Sequence, residues 1–208
     1  GLPGTIAETA NAIQAEGGEA FPVSCDVSDD QQVGEMVRKV VDRYGRIDVL
    51  VNNAGVMVLG ESLLKIDPAR WHQSMAVNVD GPYFTCRHVV PVMIEQKRGS
   101  IINIGSTMGS ENKLGGGVLY SSSKAAVHMF SLVLADEMRE HNIAVNILSP
   151  GSLRSEGSAA IPWAQHDWHE RVDPEVVGAS AVYLALQDAH SFTGQLAKRV
   201  DFGVTWGS

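Results

Sequence analysis

Short, mostly apolar runs at residues 47–51, 100–104 and 143–148 alternate with longer segments of helical period. A run apolar at nearly every position fits a strand buried on both faces. Strands that alternate with helices build a parallel sheet covered on its two sides. Residues 20–24 and 196–200 read as further strands. A first helix spans 5–16, with Ile6, Ala10 and Ile13 as its apolar stripe and Gly17-Gly18 as its stop. Ser28-Asp29-Asp30-Gln31 matches a capping box. Val33, Met36, Val37, Val40, Val41 and Tyr44 then keep helical period up to Gly45. Asp67-Pro68 pairs a cap with a proline at the first helical position; that helix breaks near Gly81-Pro82 and resumes toward Glu95. A long helix runs from near Tyr120 to about Arg139, with Ala125, Ala126, Met129, Leu132, Val133 and Met138 as a broad apolar face. Asp173-Pro174 opens the last helix. The expected class is α/β, a doubly wound parallel sheet in one domain over residues 1–208.

The run Tyr120-Ser121-Ser122-Ser123-Lys124 carries the chemistry. Four residues apart on a helix, the phenol and the ammonium share a face. A free phenol, with a pKa of about 10, is a poor base at neutral pH. Lowering it by about 3 takes roughly 4 kcal/mol. One charge about 4 Å away, at an effective dielectric near 20, supplies a term of that order. Lys124 is therefore expected to make Tyr120 acidic enough to exchange a proton with an alcohol or a carbonyl.

Composition excludes several classes. The 208 residues suit one domain. Hydrophobic content of 44% against 19% charged supports a large core. A net charge of −8 with no basic run argues against nucleic-acid binding. No apolar stretch of transmembrane length stands out, so no membrane partner is expected. Cys25 and Cys86 suggest no disulfide framework, and a cytoplasmic home is the default. His166 and His169 lack a third ligand nearby, so no metal is expected.

Other motifs place Tyr120 and Lys124 in a wider pattern. Cys25-Asp26-Val27 follows an apolar run, and Asn52-Asn53-Ala54-Gly55 follows the strand at 47–51. Asn78 lies in Val77-Asn78-Val79, Ser106 closes Asn103-Ile104-Gly105-Ser106, and Pro150-Gly151 follows the strand at 143–148. In this order the chain resembles the short-chain dehydrogenase/reductase family, from about Thr5 to Gly203. The resemblance implies a Rossmann-like fold. It also implies an NAD(P)-dependent oxidoreductase that interconverts an alcohol and a ketone or aldehyde, or a 3-oxoacyl group. The family's glycine-rich phosphate loop follows its first strand, and no Gly-x-Gly-x-x-Gly occurs here. On the resemblance, the first strand-helix-strand unit is missing from the sequence. Gly115-Gly116-Gly117 reads as a flexible turn ahead of Tyr120.

Roles carry over position by position. Tyr120 is implied as general acid/base, and Lys124 as the group that binds the nicotinamide ribose and lowers the tyrosine's pKa. Asn78 is implied to hold a water beside the lysine. Ser106 is implied to orient the carbonyl; Thr107, one residue nearer to Tyr120, competes on spacing, and local context favours Ser106. Cofactor contacts fall to Asp26, Val27, Asn53, Ala54, Gly55, Leu153 and Ser155, besides Tyr120 and Lys124. The cofactor is NAD or NADP, the substrate a small molecule, and the assembly a homodimer or homotetramer. Residues 152–173, with Trp163, His166, Trp168 and His169, read either as a substrate lid or as a subunit contact. Asp201-Phe202-Gly203 is not a kinase motif, because no His-Arg-Asp run accompanies it; it matches the family's Asp-Gly-Gly with Phe202 replacing a glycine. The missing phosphate loop motivates a second reading, a non-catalytic remnant that folds and oligomerises without dinucleotide. A third, a sugar-nucleotide epimerase, has little room for its substrate domain.

Overall fold

The structure is a computed structural model and describes residues 4–59, 61–111, 117–159 and 165–207. In chain order its main elements are α1 (Ile6–Ala15), α2 (Asp30–Tyr44), β1 (Val49–Asn52), α3 (Pro68–Met75) and α4 (Gly81–Gln96). They continue with β2 (Gly99–Ile104), α5 (Val118–Met138), β3 (Ile143–Ser149), α6 (Glu156–Ala159), α7 (Gly178–Ala185) and β4 (Leu196–Lys198). Among the described residues the strands form one parallel sheet in the order β1-β2-β3-β4.

Side chains alternate across the sheet, as a pleated strand requires. Ile101, Ile143 and Val145 face one side, against Val37, Val89 and Met93 of α2 and α4 and Ala135 and Met138 of α5. Ile102 and Leu148 face the other, against Leu184 of α7, Ala197 and Trp206. The sheet is thus covered on both faces, the doubly wound arrangement that the alternating pattern predicts.

Several local expectations are corrected. Residues 20–24 form no strand, because a strand exists only with a ladder partner and β1 pairs with β2 alone among the described residues. For the same reason β1 is an edge and not buried on both faces: Val49 and Val51 are 36% and 48% exposed. The cap of α2 is Asp29, whose Oδ1 accepts the N–H groups of Gln31 and Gln32 at 3.0 and 3.1 Å. Its carboxylate suits a helix N-terminus better than a neutral hydroxyl does. Ser28 donates to Asp26 instead, at 2.7 Å. The last strand stops at Lys198, and Arg199–Asp201 is a 3-10 turn. Gly115 and Gly116 lie outside the described residues, and Gly117 precedes α5 with φ of +70°.

Two features of the helices bear on the site. The break foreseen near Gly81-Pro82 is a π-helical segment, Ala76–Asp80, that joins α3 to α4 and buries Asn78. α5 turns a mixed face inward: Ser123, Lys124, Val127, His128, Ser131, Ala135 and Met138 are buried. The expected apolar face is only partly inward: Met138 is buried, Ala126 and Leu132 are half-buried, and Ala125, Met129 and Val133 are exposed, Met129 by 62% and Val133 by 50%. The segment Val118–His141 is long and apolar enough to cross a membrane by length and composition, contrary to expectation; in the structure it packs along β3.

A polar chain ties these layers together. Thr85 of α4 donates to Asn52 Oδ1 at 2.7 Å, Asn52 donates to Asn103 Oδ1 at 2.8 Å, and Asn103 donates to Ser131 of α5 at 2.8 Å. Ser131 completes it by donating to the Val127 carbonyl at 2.7 Å. Removing one member leaves its neighbours one hydrogen bond short, at roughly 1–3 kcal/mol for each buried group left unsatisfied. Asn103→Ala is expected to cost at least about 2 kcal/mol, measured as a lowered urea midpoint with an unchanged slope.

Candidate active site

The site gathers at the carboxyl ends of β2 and β3, where Ser106 and Pro150-Gly151 follow the strands. Parallel sheets bind ligands at this edge. A cavity of about 550 Å³ opens there. Its wall includes Ser106, Thr107, Tyr120, Ser149, Gly151, Leu153 and Ser155.

Asn78 organises the approach from below. Its Oδ1 accepts the Val56 N–H at 2.7 Å, and its Nδ2 donates to the Val56 carbonyl at 2.9 Å and to Ser123 Oγ at 3.0 Å. The side chain is committed to this clamp, which ties the segment after β1 to α5. Gly55 sits directly beyond: a Cβ there would lie 3.4 Å from Asn78 Oδ1 and 3.9 Å from Lys124 Nζ. The exposed residues Asn53, Ala54 and Gly55 are thereby held beside the lysine.

Tyr120 begins the inward face of α5, and the Lys124 ammonium lies 5.7 Å from its ring centroid. Lys124 donates to the Ile104 carbonyl at 2.8 Å. Burial pulls the lysine down from its usual 10.5 to about 8. Burial also pushes the Tyr120 phenol up, and a hydrogen bond with Ser106 offsets part of that rise. The expectation that the ammonium makes this phenol acidic is therefore corrected. Desolvation disfavours the charged form of each group and dominates both shifts. Of the two competing hydroxyls, Ser106 interacts with the phenol, while Thr107 lines the cavity at the start of a 3-10 turn.

Leu153 and Ser155 lie across the cavity. A bridge between Leu153 and Val172 runs through the amides of Arg154 and Val172. It leaves the Leu153 N–H without an acceptor among the described residues. Ser155 and Ser158 bond each other, and Ser158 also donates to the Leu153 carbonyl at 2.7 Å. Asp26 and Val27 lie outside this cavity. The Asp26 carboxyl accepts from the Ser28 hydroxyl and N–H, which hold it below the usual carboxylate range. Val27 packs against Gly81, where a Cβ would come within 3.1 Å of it.

Some lining residues escape sequence reasoning. Arg171 is buried and paired with Asp167 at 2.8 Å, and Lys198 is paired with Glu111 at 2.7 Å. The spacing of four between Asp167 and Arg171 is a readable signal; Lys198 and Glu111, far apart in the chain, give none. From the proposed lid, Asp167 and Arg171 line the cavity rather than Trp168 or His169, and Trp163 lies outside the described residues. The nicotinamide end of a dinucleotide has residues to meet it here: the Lys124 ammonium beside Gly55, the spare Leu153 amide and the Ser155 hydroxyl.

The family model described as short chain dehydrogenase matches residues 3–165. An uncharacterized oxidoreductase of Staphylococcus saprophyticus is 33% identical, over 93% of this chain and 81% of its own length. The 3-oxoacyl-[acyl-carrier-protein] reductase FabG of Thermotoga maritima is 35% identical, over 88% of this chain and 77% of its own. Among solved structures, a metagenomic short-chain oxidoreductase in complex with NADP superposes with a TM-score of 0.76 at 34% identity, covering 93% of this chain and 80% of that one. The chain belongs to the short chain dehydrogenase family. It is an NAD(P)-dependent oxidoreductase.

The lysine's burial is measurable. Its folded pKa lies below its unfolded one, so between about pH 8 and 10.5 the unfolded chain binds the proton that the folded chain has released. Stability therefore rises across that window, by roughly 3–4 kcal/mol at about 1.4 kcal/mol per pH unit. Urea titrations over this range should show that rise for the wild type relative to Lys124→Met, which lacks the titrating group.

Proposed function

We propose that the chain reduces a ketone, an aldehyde or a 3-oxoacyl group to the alcohol, with Tyr120 as the proton donor and the reverse reaction open to it. The observation that carries this reading is the convergence of the Tyr120 phenol and the Ser106 hydroxyl on one cavity wall, with Lys124 behind them. NAD(P)H, when bound, supplies the hydride, and the protein supplies position and electrostatics. Ser106 donates to the substrate carbonyl oxygen and turns it toward the phenol. Burial keeps the Tyr120 phenol protonated at neutral pH, which suits delivery of that proton to the oxygen as it gains charge. Lys124 reaches the nicotinamide ribose and becomes the nearby charge that stabilises the phenolate left behind. The Leu153 N–H and the Ser155 hydroxyl hold the carboxamide side, and the 53–55 segment the adenosine ribose. Asp26 and Val27 are further out, at the adenine.

The names of the relatives support a reductive direction, since the bacterial enzyme at 35% identity is a 3-oxoacyl reductase. An assembled cavity with its hydroxyls and lysine in place speaks against a non-catalytic remnant. The outward face of α5 supports self-association as a dimer or tetramer: Met129 and Val133 are exposed there, and Tyr83 is 47% exposed on α4. The cysteines are free, Cys86 being buried and Cys25 half-buried, which accords with a cytoplasmic home.

Tyr120→Phe is expected to lower kcat/KM for carbonyl reduction by about 10²–10⁴-fold, the usual range for loss of a general acid. Its far-ultraviolet circular dichroism should match the wild type, and wild-type rates in the variant would refute the assignment. Met129→Glu with Val133→Glu should reduce the particle mass in light scattering to that of a single chain.

A further inference from the structure

His128 is buried one turn beyond Lys124 on α5, and no role above uses it. Its Nε2 accepts the backbone N–H of Ser106 at 3.3 Å. The ring lies against the chain just before Ser106: a Cβ on Gly105 would fall 2.6 Å from Nε2 and 2.4 Å from Ile147 Cγ2. Gly105 therefore has no room for a side chain, and the imidazole backs the end of β2 directly. That end carries two committed groups. The Ile104 carbonyl accepts from Lys124, and the Gly105 N–H donates to the Leu148 carbonyl at 2.9 Å. The Ser106 amide is next in line, and the imidazole is what it bonds.

We propose that His128 is a positioning residue: its neutral ring, accepting at Nε2, fixes the Ser106 backbone so that the serine hydroxyl meets Tyr120, and protonation of the ring releases Ser106 and silences the site.

An accepting Nε2 places the ring's proton on Nδ1. A second proton would turn Nε2 into a donor aimed at another donor, the Ser106 N–H. It would also set a cation beside the Lys124 ammonium. The groups facing the ring from the sheet, Gly105 and Ile147, carry no charge to offset it. The geometry thus favours the neutral ring. Burial and the Lys124 charge act in the same direction, lowering the imidazole below its usual 6.5. Because its folded value lies below the unfolded one, the neutral ring persists at neutral pH and the hold on Ser106 is lost as the pH falls through the lowered value. Ser106 acts on the carbonyl only in one orientation, and a displacement of about 1 Å at a reacting group can cost on the order of 100-fold.

The inference rests on the proposed role of Ser106, so its test includes a measurement that needs no turnover. In amide NMR spectra of the intact protein, the Ser106 resonance should move with pH, with a midpoint below 6.5, well separated from the Lys124 transition. His128→Gln keeps a side-chain acceptor that does not titrate. It should abolish that movement and keep kcat/KM at pH 7.5 within about 3-fold of wild type, while the acid limb of the wild-type profile disappears. His128→Leu, which has no acceptor, should lose about 10- to 100-fold in kcat/KM. A Ser106 resonance that ignores pH from 7.5 down to the onset of acid unfolding, or an acid limb unchanged in His128→Gln, would overturn the proposal. Should His128→Leu fail to fold, the glutamine variant decides. If Tyr120→Phe keeps full activity while the Ser106 resonance still titrates with His128, the catalytic reading fails and the coupling stands.

Discussion

The hydrogen bond from Lys124 to the Ile104 carbonyl is the contact on which the site depends. It joins the inward face of α5 to the carboxyl end of β2 through a charge that burial makes costly to keep. A lysine without an adjacent carboxylate is a poor structural element by itself. Its value lies in what its position fixes: Tyr120 one turn earlier, His128 one turn later, and Gly55 across the gap. One helix therefore presents three titratable groups to one strand end, and their spacing of four is the spacing of helical turns.

Around that contact the polar interior is arranged to leave few loose ends. The chain of hydrogen bonds from Thr85 through Asn52 and Asn103 to Ser131 fixes α4 and α5 on the same face of the sheet. The Asn78 clamp does the same for the segment after β1, from a π-helical turn that breaks the regular ladder between α3 and α4. Such turns free backbone groups and often accompany functional sites. Close backbone approach completes the frame. A Cβ on Gly109 would lie 2.7 Å from the Lys124 backbone carbon, so the loop after Ser106 packs directly on α5. Ser106 is held between a strand end, a histidine and a helix, which limits how far its hydroxyl can stray.

Much of this was legible in the residues. The apolar runs located the strands to within a residue or two because most of their positions are apolar, and the buried exceptions Asn103 and Asn146 are satisfied by side-chain hydrogen bonds. Asp67-Pro68 and Gly45 marked helix ends through chemistry that acts locally. Tyr120 and Lys124 were found because their spacing is itself helical. Local pattern does not reach what partners decide. Residues 20–24 have the side chains of a strand and no ladder to join. Part of the apolar face expected of α5, Met129 and Val133, is turned outward because Asn103 and the strand ends draw polar side chains of the helix inward. The sign of the Tyr120 shift is not legible locally: a charge at a known spacing can be counted from sequence, whereas desolvation depends on how deeply the phenol is packed.

The sequence by itself determined the α/β class and the family, and singled out the Tyr120 phenol and the Lys124 amine beside two candidate hydroxyls, because periodicity and short-range spacing act within one element. Tertiary structure alone decided that Ser106, rather than Thr107, meets the phenol. It also set Asn78 as a clamp, placed Arg171 and Lys198 in the cavity wall, and put a histidine behind the serine. Those outcomes depend on distances between residues remote in the chain, and on the dielectric that burial creates, neither of which is a property of any local run of amino acids.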